Sequence, residues 1–129
     1  MTQYLNPAAL VPPVGPYSHV SRTGDLIYLA GQTGIDAKGD PAGPGIAAQA
    51  GQALENIRAA LASQNLTFAH IIKLTTYVAG RTNLPGMIEY MDETFPTWFP
   101  RGYPPNTLLV VDQLVTAELL VEIEAVAHA

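Results

Sequence analysis

The closing stretch ELLVEIEAVA (residues 118–127) decides how this chain folds. Leu119, Val121, Ile123 and Ala125 alternate with Leu120, Glu122, Glu124 and Val126. Successive side chains of a strand point to opposite faces. One face is therefore wholly apolar and the other carries two carboxylates side by side. Upstream, TLLVVDQL (107–114), IIKLTTYVAG (71–80) and LIYLAGQ (26–32) have the same strand character, rich in β-branched and aromatic residues. YSHV (17–20) reads as a short strand, joined to 26–32 through the turn TGD (23–25), where Gly24 is free to take positive φ.

Between the strands the period changes. Ile46, Ala50, Leu54, Ile57 and Leu61 recur at helical spacing and predict a helix over residues 46–63. A second helix is predicted from Leu84 to Phe95, with Pro85 in its first turn and Leu84, Ile88, Met91 and Phe95 as its apolar face. PTWFPRGYPPN (96–106), with four prolines in eleven residues, is read as non-helical, and the four prolines of residues 1–16 mark an irregular arm. The expectation is one domain over residues 1–129. Its class is α+β, in the order β-β-α-β-α-β-β, with a mixed sheet and two helices.

Two helices cover one face of such a sheet, yet the strands are apolar on both. In LIYLAGQ, Leu26, Tyr28 and Ala30 oppose Ile27 and Leu29; in TLLVVDQL, Leu109 and Val111 oppose Leu108 and Val110. A sheet face in solvent alternates cleanly between apolar and polar. Charged residues make up 13% of the chain, against roughly 25% in a typical soluble domain. Both facts point to a face buried against symmetry mates, and ligand sites favour such interfaces.

Several function classes drop out. The chain has no cysteine, so disulfides, thiolate metal sites and a cysteine nucleophile are excluded. His19, His70 and His128 have no metal-ligand spacing. A net charge of −5, with four arginines and two lysines dispersed, argues against a nucleic-acid partner. MTQYLNPAAL lacks the basic and apolar regions of a secretion signal, and no apolar run could cross a bilayer. The expected location is the cytoplasm, with no membrane partner.

Four stretches could carry chemistry. Glu122 and Glu124 share a face; if that face meets another subunit, desolvation and like charge raise a carboxyl pKa, and such an acid can hold or deprotonate water. Alternatively both point into solvent or pair with Lys73 or an arginine. In VGPYSH (14–19), Tyr17 either donates a hydrogen bond to a ligand and closes a pocket, or packs in the core. LAGQTG (29–34) sets small residues at a strand end, where backbone approaches a ligand closely, without a dinucleotide fingerprint. RGYPPNTLLVV (101–111) leaves Asn106 and Thr107 at the start of a strand, either facing the cleft of Glu122 or ending a loop.

With these residues in view, the chain resembles the YjgF family, also called Rid (reactive intermediate deaminase) or L-PSP endoribonuclease-like. The resemblance rests on GPYSH (15–19), LIYLAGQTGID (26–36), QALENIRAAL (52–61), IIKLTTYV (71–78) and LVEIEAVA (120–127), in the family's order. It implies a chorismate-mutase-like fold and a homotrimer with clefts between subunits. The deaminase branch hydrolyses enamines and imines such as 2-aminoacrylate to keto acids and ammonia, without a cofactor. Tyr17 matches its cleft tyrosine, Glu122 its water-positioning glutamate and Gly31 its cleft glycine. The branch's carboxylate-gripping arginine has no match: PPNT (104–107) puts Asn106 there. A neutral amide holds a carboxylate less strongly than an arginine fork. The implied function is thus a deaminase-like hydrolase with a substrate other than 2-aminoacrylate, Glu122 as the catalytic group, and Tyr17, Gly31, Asn106, Thr107 and Arg101 as substrate-binding residues. The alternative is a non-catalytic small-molecule-binding homotrimer. Ribonuclease activity, reported for some relatives, fits poorly with the acidic balance.

Overall fold

A computed structural model describes residues 1–129. The strands are β1 (Gln3–Leu5), β2 (Val20–Thr23), β3 (Leu26–Thr33), β4 (Ile71–Ala79), β5 (Asn106–Val111) and β6 (Val121–His128); the helices are α1 (Ile46–Ala62) and α2 (Leu84–Trp98). One six-stranded sheet runs β1-β2-β3-β6-β4-β5. β4 and β5 are parallel and all other pairs antiparallel, so the sheet is mixed. The last strand thus lies inside the sheet, between β3 and β4. Leu119, Val121, Ile123, Ala125 and Ala127 are all buried, as their spacing requires.

α1 lies over β3 and β6 and also packs on α2. Ala50, Leu54, Ile57 and Leu61 are fully buried, the stripe expected from their spacing. They meet Ile27, Leu29, Leu74, Val78, Val121 and Ile123 in a single core. α2 is rotated from the expected face. Met87 is fully buried, whereas Ile88 stays 43% exposed. The buried face of α2 follows Met87, Met91 and Phe95, a run at spacing four that the choice of Ile88 obscures.

Three boundaries differ from the reading of the sequence, each for a local reason. α2 continues through Pro96 to Trp98. Proline removes only its own bond to the carbonyl four residues earlier. Asp92 and Pro96 are both exposed, so that carbonyl faces solvent. Meanwhile Phe68 stacks on Trp98 at 4.8 Å and meets Phe99 at 5.3 Å, which holds the last turn in place. β2 begins at Val20, not Tyr17, because other groups take the backbone of 17–19. The Tyr17 amide donates to the Gly15 carbonyl (2.9 Å) and the His19 amide to Asn6 Oδ1 (2.9 Å). β1, within the expected irregular arm, pairs Tyr4 with Ser21. Three residues are too few to show a period.

The second sheet face carries no helix. Tyr28 is 50% exposed and Leu109 43% exposed there. No helix is long and apolar enough to cross a membrane.

Candidate active site

β3 and β6 pair in register except at one place. Leu29 is opposite Ala125 and Gln32 opposite Ile123, so Ala30 and Gly31 share a single partner position, that of Glu124. Such a bulge bends the strand and redirects side chains. Here it brings the Gly31 backbone under the side chain of Glu122. A methyl group on Gly31 would lie 2.7 Å from Glu122 Cδ and 2.8 Å from Cγ, closer than atoms approach. Gly31 is therefore small because Glu122 occupies the space its side chain would fill.

Glu122 opens onto a cavity of about 270 Å³ whose walls include Val11, Tyr17, Gly31, Thr33, Leu119 and Glu122. Partial burial, and secondarily the charge of Glu124, push the Glu122 carboxyl above its ordinary 4.5. Neither acid has a cationic partner; the one ion pair of the chain joins Arg58 and Glu55. Glu124 instead accepts a hydrogen bond from the Tyr77 hydroxyl at 2.5 Å. That bond, then desolvation, then the charges of Glu124 and Glu122, hold the Tyr77 hydroxyl above its ordinary 10.0.

Tyr17 owes its position to His19. The His19 ring, buried, meets the Tyr17 ring edge to face with centroids 5.9 Å apart. His19 Nε2 donates to the Val11 carbonyl (2.6 Å), and its Nδ1 accepts from the Gln32 amide (3.1 Å). A carbonyl can only accept, so the ring is the Nε2–H tautomer. These bonds tie the N-terminal arm to the end of β3. From the other side, Asn56 of α1 donates to the carbonyls of Thr33 (3.1 Å) and Ile35 (2.8 Å). His19, Gln32, Asn56 and Tyr77 escaped the sequence reading. Only Tyr77 left a trace, as the polar-tipped residue of an apolar strand; the others act through partners distant in sequence.

The structure brings Tyr17, Gly31 and Glu122 together within one chain. Asn106, Thr107 and Arg101 are not among the walls of that cavity. β5 starts at Asn106, which pairs with Leu74 and thus faces the helix side. Its Oδ1 accepts from the Thr76 hydroxyl (3.1 Å), and it borders a hollow with Met91, Phe95 and Tyr103. Thr107, paired with Thr75, lies on the helix-free face and accepts from Lys73 Nζ (2.8 Å). Arg101 lines a separate hollow beside Phe68 and Trp98. No group of three or more acids and histidines forms a metal-binding cluster.

The model of the family Endoribonuclease L-PSP matches residues 8–129. The chain belongs to this family, the YjgF/Rid proteins. A RutC family protein of Pyrococcus horikoshii is 32% identical over 117 residues, covering 90% of this chain and 89% of that protein. Human 2-iminobutanoate/2-iminopropanoate deaminase is 30% identical over 115 residues, covering 88% of this chain and 80% of the human one. Among solved structures, a Rid-family protein of unknown function from Yersinia pestis superposes with a TM-score of 0.90 at 25% identity, over 100% of both chains. The expected chorismate-mutase-like arrangement, a mixed sheet backed by two helices, is the one found in this Rid-family chain.

Proposed function

We propose that this Rid-family chain is a cofactor-independent hydrolase of small reactive enamines or imines, working in clefts between the subunits of a homotrimer. The observation that carries the reading is Glu122, a partly desolvated acid without a cation, held over Gly31 in a largely apolar cavity beside Tyr17. Such an acid orients water and exchanges protons with it during attack on a C=N carbon. The human relative, named for deamination of 2-iminobutanoate and 2-iminopropanoate, supports the same chemistry. The exposed apolar residues of the helix-free face and the 13% charge content support burial of that face between copies. Asn106, Thr107 and Arg101 lie outside the cavity of their own chain; in this reading a neighbouring copy brings the start of β5 to the cleft.

Asn106 sets the expected specificity. Its amide offers hydrogen bonds but no charge, and one of its atoms is already engaged by Thr76. Carboxylate-bearing imines should therefore bind weakly, and the preferred substrate is not 2-aminoacrylate. In the deciding experiment, 2-aminoacrylate and a panel of imines without a carboxylate are generated in situ and product release is followed. We expect turnover that Glu122→Gln abolishes, fastest with the second group. Asn106→Arg should raise affinity for small carboxylates several-fold. An unchanged affinity would remove Asn106 from the cleft.

The missing arginine also favours a second reading, a small-molecule-binding trimer without strong catalysis. Ligand binding with no turnover on any imine, in parent and Glu122→Gln alike, would establish it. Sedimentation tests the assembly: compact single chains at micromolar concentration would leave the cleft without its second wall.

A further inference from the structure

Glu122 and Glu124 share one face of β6, but their surroundings differ. Glu122 opens onto the cavity. Glu124 is engaged by Tyr77, whose hydroxyl donates to it at 2.5 Å. Tyr77 stands opposite Glu122 in the β4–β6 register and reaches diagonally to Glu124, which itself pairs with Thr75. The hydroxyl therefore favours one carboxylate of the two.

We propose that Tyr77 and Glu124 form a positioning pair that keeps a proton on Glu122, so that Glu122 enters the reaction as an acid. Glu122 and Glu124, two residues apart on one face of β6, feel each other's charge, and ionising one makes ionising the other less favourable. A hydroxyl donating to Glu124 stabilises its ionised form, and Glu122 has no comparable donor. The charge left on Glu124 then opposes ionisation of Glu122, in the same direction as the burial of Glu122.

No other group on the neighbouring elements reverses this preference. From β4, Lys73 directs its ammonium to the Leu74 carbonyl (2.6 Å) and the Thr107 hydroxyl (2.8 Å). From β3, the residues beside the acids are Gly31 and Thr33, and Tyr28 pairs further along with Val126. Within β6, His128 lies at the far end, opposite Leu26. On the cavity wall, the Tyr17 ring packs edge to face on His19, and both nitrogens of His19 are occupied, by Val11 and Gln32.

The inference rests on the hydrolase reading for its chemistry. Glu122 gives its proton to the C=N nitrogen as water adds to the carbon. The carboxylate takes a proton back from the added water, leaving a carbinolamine. Glu122 then protonates the amino group, the C–N bond breaks and ammonia departs. The hydroxyl proton returns to Glu122 as the carbonyl forms, so the acid ends as it began. Tyr77 and Glu124 touch no substrate atom in this scheme.

The test needs no substrate, so its outcome is independent of any turnover assay. Side-chain carboxyl resonances of the full chain are followed by carbon-13 NMR from about pH 3 to about pH 9, assigned with Glu122→Gln and Glu124→Gln. In the parent, the Glu122 midpoint should lie above the ordinary 4.5. Tyr77→Phe keeps the ring and removes the hydroxyl. It should lower the Glu122 midpoint by about half a pH unit or more. Glu124→Gln should also lower the Glu122 midpoint. A Glu122 midpoint unmoved by Tyr77→Phe, or one unmoved by Glu124→Gln, would overturn the proposal.

Discussion

The two faces of the sheet are made from the same strands and obey different rules. On the helix side, Ile27, Leu74, Val78, Val121 and Ile123 are fully buried and pack with α1 and α2. On the other, Tyr28 and Leu109 remain exposed, and Glu122, Glu124 and Tyr77 are half-buried. The first face is finished within one chain. The second holds the two acids, yet Tyr28 and Leu109 on it remain exposed within the single chain. The difference separates two kinds of position along each strand: alternate residues are buried and stabilise the fold, and many of those between them, Glu122, Glu124 and Tyr77 included, stay partly exposed.

The comparison is broken most severely from the helix side. Ile123→Ala empties a fully buried site in the middle of the core. It should cost about 2–5 kcal/mol in urea unfolding. A loss under about 1 kcal/mol would mean that the helix side does not dominate stability.

On the other face the expected losses are of function. Gly31→Ala puts a methyl group where the Glu122 side chain lies. The side chain can swing away, so unfolding should shift by about 1 kcal/mol or less. Ligand binding and any imine turnover should fall by about tenfold or more, as for a misplaced catalytic group. Full activity in this variant would show that Glu122 works from another position.

Tyr28→Glu sharpens the contrast further, by adding a charge to the exposed apolar surface. The single chain should fold with a change within about 0.5 kcal/mol. Sedimentation should show loss of the proposed trimer. Persistent assembly would assign the interface elsewhere.

The smallest effect concerns pH. The folded-state pKa of Glu122 lies above its ordinary 4.5. Its contribution to stability is therefore complete below 4.5 and is lost as pH rises through the folded value. Glu122→Gln carries no such dependence. The stability of the parent relative to this variant should decline across that window and then level off. A constant difference, measured by urea midpoints at a series of pH values, would place Glu122 in open solvent.

Much of the fold was legible because its signals are local. The strand alternation of 121–127 and the stripe of α1 lie within single elements, and burial follows them residue by residue. Where the reading failed, a distant partner intervened: Phe68 carries α2 past Pro96, and Asn6 takes the amide that would extend β2. For the site, the pair of acids and the small residue Gly31 stood out in the sequence. The tyrosine that distinguishes the two acids did not, since Tyr77 and Glu124 are separated by 47 positions.

The sequence by itself determined the alternation of layers, the two-faced strands, the shortage of charge and the family. Those properties follow from which side chains recur at which period. Only the tertiary structure decided that Gly31 lies beneath Glu122, that Tyr77 chooses Glu124, and that Asn106 faces the helices. Each of these depends on register between strands, and a register shifted by one residue would exchange the faces without changing a letter of the sequence.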